Sequence, residues 1–245
     1  MTMRVVWAAV LAMAALQGCV QQVAMPAPAP RPAPLPAPAG VSGPVLPVEV
    51  AAENFVAVVA QVEPVAERYC RQLRRVANCD FQIVIDDRPG QPPNAFQTLD
   101  RSGRPILAFT VALIRDARNR DELAFVLGHE AAHHIAGHLP RQQNTAMAGA
   151  VLAGILAQVG GAGEQAIAAA QDLGATVGAR QYSKAFELEA DGLGAEITFV
   201  AGFDPRRGAA FFDRLPDPGD QFLGTHPANA ERKRVVAETV ARLGG

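Results

Sequence analysis

Nothing in the bulk composition of this chain announces a function. Its formal net charge is −2, so nothing in the balance of charge suggests a nucleic-acid partner, which would want a basic patch. Aromatic residues are scarce at 6%, with a single tryptophan, Trp7. The strongly apolar run Val5–Leu16 is too short for a membrane-spanning helix, which needs about 20 residues. Cysteine is limited to Cys19, Cys70 and Cys79, and histidine to five residues in all. Yet the 245 residues, 49% of them hydrophobic, can bury one sizeable core or two small ones. The scarce histidines are also unevenly placed. His129, His133, His134 and His138 crowd into VLGHEAAHHIAGH, and the fifth, His226, lies far downstream.

Residues 1–18 read as a signal peptide, with Arg4 as its positive end and Val5–Leu16 as its apolar segment. The run closes in Leu16-Gln17-Gly18-Cys19, which resembles a bacterial lipobox. In such signals the cysteine is lipidated and becomes the mature N-terminus; an ordinary secretory signal is the other reading. Val20 stands where an inner-membrane retention signal would carry Asp, so the resemblance implies an anchor in the outer membrane. Cleavage also removes Trp7. Residues 19–49 are rich in Pro and Ala, a composition that favours extended polyproline II and cannot bury a core. They are expected to act as a tether. In an oxidising periplasm Cys70 and Cys79 are expected to close a short disulfide loop, with two buried free thiols as the alternative.

The folded domain is expected over residues 50–245. Residues 51–78 have a helical pattern, with a break or a fresh first turn at Pro64. Phe81–Asp86 alternates like a strand, and Ala95–Leu99 and Pro105–Thr110 flank Asp100-Arg101-Ser102-Gly103 as a hairpin. Asn119, three residues before Glu122, resembles a capping box that opens a helix through the histidines. Asp204-Pro205 opens a short helix, and the C-terminal residues form an amphipathic one. Residues 146–163 are small and apolar. Within the longer segment 146–178 they read as a mobile helical hairpin or lid, with membrane contact as the alternative.

His129-Glu130-Ala131-Ala132-His133 is an H-E-x-x-H pattern. Residues four apart on a helix lie about 40° from one another, so both imidazoles point the same way and can bind one zinc ion. Glu130 sits beside that position, where it can take a proton from a water that the metal has made more acidic. Catalytic zinc sites want three protein ligands. His138 falls one residue short of the metzincin spacing, which would place a histidine at position 139. His134 and His138 are therefore expected as surface or helix-end histidines, His138 with a role in supporting a ligand. In Tyr182-Ser-Lys-Ala-Phe-Glu-Leu-Glu-Ala-Asp191, Glu187 and Asp191 share one helix face, with Glu189 turned away. One of the two carboxylates can bind zinc while the other accepts a ring N–H from a ligating histidine. A solvated acidic face is the bland alternative.

His129-Glu130-x-x-His133 followed by Glu187-x-x-x-Asp191 resembles the gluzincin family of HtpX-like and CAAX-prenyl-protease-like zinc metallopeptidases. Asn94-Ala95-Phe96, His138 and His226-Pro227-x-x-x-x-Arg232 add to the likeness, which covers roughly residues 70–235. It implies an α+β, zincin-like fold: a mostly helical domain with a small antiparallel or mixed sheet and the histidine pair on a helix. It implies one Zn²⁺ held by His129, His133 and Glu187, Glu130 as the base, and Asp191 orienting a ligand. It implies that His226 donates to the developing oxyanion; occupying the open metal position in a latent form, or being a plain loop histidine, are the other readings. Asn94 and Ala95, at the head of an edge strand, are expected to bind substrate. Lys184 departs from the family's usual arginine, so a planar fork is lost there.

The expected function is a zinc metalloendopeptidase facing the periplasm, with unfolded or misassembled envelope proteins as substrates. The principal alternative is an outer-membrane assembly factor or chaperone-like binding module with latent peptidase activity. A purely structural zinc site fits less well, because Glu130 stands beside an open coordination position.

Overall fold

A computed structural model describes residues 46–181, 183–214 and 227–245, the side chains of 179–183 excepted. The expected signal peptide, Cys19, nearly all of the tether, and His226 therefore lie outside the described residues. The elements run α1 (Val48–Leu73), β1 (Gln82–Asp86), β2 (Ala95–Leu99), β3 (Pro105–Thr110), α2 (Val111–Asp116) and α3 (Arg120–Ile135). They continue with α4 (His138–Val159), α5 (Glu164–Gln181), α6 (Ser183–Val200), α7 (Pro205–Gly208), a 3-10 turn at Ala209–Arg214, and α8 (Asn229–Arg242). This is the expected α+β architecture, mostly helical with one small mixed sheet.

Packing begins ahead of the expected boundary at residue 50. Leu46 is buried and its N–H donates to Arg115 O at 3.0 Å. Pro64 lies inside α1 and does not break it. An interior proline costs about 3 kcal/mol and orphans the carbonyl four residues back. Here that carbonyl belongs to Ala60, on the exposed side of the helix where water can satisfy it. The opposite face, with Val58, Val62, Val65, Ala66 and Tyr69, is buried in the main core and holds the helix together. The helix stops earlier than expected, at Arg74, which adopts φ 51°. Cys70 and Cys79 are joined across the turn that follows, with Cα atoms 5.6 Å apart.

The sheet has the order β1-β3-β2. β3 pairs in parallel with β1 and antiparallel with β2, Ala95 lying opposite Phe109. The central strand β3 is the apolar one, with Leu107 and Phe109 fully buried. The hairpin closes where Asp100 Oδ1 accepts N–H bonds from Ser102 and Arg104. This leaves β2 as an edge strand beside α3.

α3 is capped as its sequence suggests, Asn119 accepting the N–H of Glu122 at 3.0 Å. Glu122 does not complete a capping box. Its carboxylate accepts from Arg118 N and is paired with Arg214. Twelve of the 16 residues of α3 are buried, so the helix runs through the protein's interior. Beyond its first turn, Glu130 and His133 are its two residues that are not buried. α4 and α5 fold back on each other as an antiparallel pair that leaves Val151, Leu152, Ile155 and Leu156 exposed. No helix among the described residues is long and apolar enough to cross a membrane.

α6 crosses α3 at a point where neither helix has a side chain. A Cβ on Gly194 would stand 2.8 Å from His129 N and 2.9 Å from His129 Cα. Thr198 Oγ1 spans the crossing, 3.3 Å from Ala124 O on α3 and 2.7 Å from Gly194 O on its own helix. This approach brings α6 onto the histidine helix. Gly194→Ala should therefore push the helices apart and destabilise the domain by about 1–3 kcal/mol, as overpacking does. Urea unfolding checks this, and a midpoint equal to wild type would contradict it.

A candidate metal centre between two crossing helices

The crossing points three potential ligand atoms at one spot. His129 Nε2 and His133 Nε2 are 3.0 Å apart. The Glu187 carboxylate lies 3.5 Å from the first and 3.3 Å from the second. Among the described residues this is the one cluster whose ligand atoms converge in a manner able to hold a metal ion. The spacing tests the fit. A tetrahedral zinc ion with bonds of about 2.0–2.1 Å sets its ligand atoms about 3.3 Å apart. The histidine pair lies a little inside that value, and each histidine has one Glu187 oxygen near it, Oε2 for His129 and Oε1 for His133, with one ligand atom from each residue within 4.8 Å of the others. The ring protons agree as well. His129 uses Nδ1 to reach Asp191 Oδ1 at 3.0 Å, which leaves a lone pair on Nε2 aimed at the cluster.

Asp191 is completely buried, and such a carboxylate needs paired charge. Arg232, itself buried, supplies it with a two-pronged contact: Nε to Oδ2 and one terminal nitrogen to Oδ1, both at 2.7 Å. The guanidinium also lies over the Phe212 ring at 3.9 Å, and one nitrogen is 3.3 Å from Glu187. Burial works to raise the pKa of Asp191, but the bonds from His129 and Arg232 hold it below its ordinary value. For His129 burial acts to lower the pKa, while hydrogen bonds to Asp191 and Glu187 carry it up to about 10. This pocket thus draws positive charge to the ring. A bound cation would meet the same demand. Asp191 therefore sits where it can orient His129, and Arg232, legible in sequence only as part of the His226-Pro227-x-x-x-x-Arg232 pattern, fixes Asp191.

The remaining histidines differ from their sequence reading. Gly137 takes φ 68°, a left-handed geometry that glycine favours. It ends α3 and redirects the chain so that α4 starts at His138. Neither His134 nor His138 is on the surface. His138 is buried with Nδ1 2.9 Å from His133 Nδ1, which suits the supporting role expected for it. His134 is buried with Nε2 2.7 Å from Asn78 O and its ring edge-on to Phe81. It pins the disulfide loop to α3. Burial pushes the His138 pKa down to about 4, and the nearby His133 adds to this. Glu189 does face away from the metal cluster, but it is fully engaged elsewhere. Burial raises its pKa, and bonds from Arg141, His138 and Arg75 outweigh this and bring it down to about 2.

The cluster opens into a cleft of about 390 Å³, with Glu130 beside the histidines and Phe186, Phe211 and Phe212 in its walls. β2, with Ala95, and the preceding Asn94 form one rim. Thr110 N donates to Asn94 O at 2.9 Å, and Asn94 N donates to Thr110 Oγ1 at 3.0 Å. The main chain of Asn94 is thus committed to β3. In an antiparallel ladder outward and inward groups alternate, so Ala95 and Gln97 turn their main-chain groups toward the cleft. Of the two expected substrate-binding residues, Ala95 has free edge geometry and Asn94 offers its exposed side chain.

Residues 57–240 match the pattern of peptidase family M48. The chain belongs to that family of metallopeptidases. It is similar to the mitochondrial metalloendopeptidase OMA1 of Arabidopsis thaliana, 29% identical over 54% of this chain and 27% of that one. Metalloprotease LoiP of Escherichia coli (strain K12) is 25% identical, with 76% of each chain covered. The beta-barrel assembly-enhancing protease of Yersinia pestis is 32% identical over 47% of this chain and 26% of its own. The chain thus spans little more than a quarter of the length of two of these relatives. The family match supports a metallopeptidase without distinguishing the HtpX-like or CAAX-protease-like branch that the motifs resemble.

Removing one partner of a buried ion pair leaves an uncompensated charge and costs about 3–5 kcal/mol. Arg232→Gln should therefore lower the urea stability of the metal-free protein by that order. A loss under about 1 kcal/mol would show that the Asp191 clamp is not what holds this end of α8.

Proposed function

We propose that this protein is a zinc-dependent metalloendopeptidase of the bacterial cell envelope. In this reading it is tethered to the outer membrane through Cys19 and acts on unfolded or misassembled envelope proteins. One observation carries the reading: ligand atoms of His129, His133 and Glu187 converge within 4.8 Å of one another in a cleft that also holds Glu130 and is rimmed by an unpaired strand edge. When bound, zinc would supply Lewis-acid chemistry, making a water acidic and polarising the scissile carbonyl. Glu130 is the half-buried carboxylate placed to accept the proton of the attacking water and pass it to the leaving amine. Extended substrate would add as a strand along β2, pairing with the outward main-chain groups of Ala95 and Gln97. Such recognition reads main chain more than side chain, which suits unfolded clients. The phenylalanines of the cleft wall would take up apolar side chains.

The sequence signals at Leu16–Cys19 and the similarity to a protein named for enhancing beta-barrel assembly support the envelope setting. His226, as a donor to the developing oxyanion, belongs to the same proposal through its motif with Arg232.

The test uses the exported protein, unfolded casein and an unfolded outer-membrane barrel protein. Cleavage should depend on zinc, and Glu130→Gln should slow it about 10²–10⁴-fold, the range for loss of a general base. Envelope fractionation of the same strains should recover both forms with the outer membrane. Undiminished cleavage by Glu130→Gln contradicts the catalytic assignment, and recovery in the soluble fraction contradicts the anchor.

A further inference from the structure

His133 has a support unlike that of His129. We propose that Glu189 is a positioning residue for His133, acting through His138 as a hydrogen-bonded bridge and held in place by Arg75 and Arg141. The inference rests on the reading of His133 as a metal ligand and extends it to residues outside the metal cluster.

The proton bookkeeping leaves one consistent arrangement. A histidine that binds metal through Nε2 is neutral and carries its hydrogen on Nδ1. His133 Nδ1 faces His138 Nδ1 at 2.9 Å, so His133 donates and His138 accepts. His138 must then carry its own hydrogen on Nε2, which lies 3.2 Å from Glu189 Oε2. Every donor meets an acceptor, and the chain ends on a carboxylate. Glu189 in turn is clamped by Arg75 at 2.6 Å on Oε1 and by Arg141 at 2.8 Å on Oε2. The His138 ring cannot swing freely. It is stacked on Phe186, with centroids 4.6 Å apart and planes 10° from parallel, and Arg141 covers the same phenylalanine at 4.4 Å.

The two ligating histidines are thus oriented by parallel devices. His129 meets a carboxylate directly, Asp191, which is fixed by Arg232. His133 meets a carboxylate, that of Glu189, through the intervening His138 imidazole, and Glu189 is fixed by Arg75, just beyond α1, and by Arg141 of α4. The second device also ties the α4–α5 hairpin to the metal cluster, because Arg141 and His138 both belong to α4.

Zn²⁺ affinity by chelator competition on the full exported chain, together with the visible spectrum of its Co²⁺ form, tests this. Losing an outer partner of a ligating histidine commonly weakens metal binding about 10- to 100-fold. His138→Phe, which keeps the stack on Phe186, and Glu189→Ala should each do so and shift the cobalt bands. The double variant should lose no more than the weaker single one, because both interrupt one chain. Glu189→Gln, whose amide oxygen still accepts from His138, should recover most of the affinity. Should Glu189→Ala not fold, His138→Phe with and without Glu189→Gln carries the same comparison. Wild-type affinity in the folded variants, even with lowered thermal stability, overturns the proposal, as do losses that multiply in the double variant. A wild-type protein that binds no zinc overturns the ligand reading itself, a result distinct from either.

Discussion

Two imidazole nitrogens 3.0 Å apart, each within 3.5 Å of an oxygen of the same carboxylate, form an arrangement that a protein interior tolerates best around positive charge. Most of the surrounding structure answers that constraint. Glu130, Glu187 and Asp191 bring three carboxylates to the site, and Arg232 opposes them with a single charge. The balance left over is the charge of one divalent cation.

Rigidity comes from backbone contact rather than from side chains at the site. α3 passes through the interior, and its crossing with α6 is close because Gly128 and Gly194 present no Cβ there. That contact places Glu187 and Asp191 one turn apart along the histidines. The sheet contributes differently. β3 is buried to anchor the layer, and β2 is left at the edge, so main-chain groups border the cleft. A buried scaffold thus presents one helix strip, Glu130 and His133, and one strand edge to the same opening.

The parts legible in sequence were those that follow a local period. The i, i+4 spacing of His129 and His133, and of Glu187 and Asp191, puts each pair on one helix face whatever the tertiary structure does. The Asn119 cap, the hairpin around Asp100 and the short helix after Asp204 are local as well. What escaped depends on contacts between distant segments. Pro64 reads as a break because its local cost is visible and the buried face that offsets it is not. His138 and His134 read as surface residues because a straight helix would carry them away from the site; the left-handed turn at Gly137 and the disulfide loop bury both. Glu189 points away from Glu187 on its helix, and only the position of α4 gives it partners. Arg232 is visible as a spacing from His226, but its contact with Asp191 spans two helices.

The central claim is that His129, His133 and Glu187 together hold one zinc ion. X-ray absorption at the zinc edge of the purified protein measures this directly. The account predicts one zinc per chain with only nitrogen and oxygen neighbours at about 2.0–2.2 Å, two of them imidazoles, falling to one in His133→Ala. Sulfur neighbours at about 2.3 Å, an imidazole count unchanged by that substitution, or no stoichiometric zinc would contradict it.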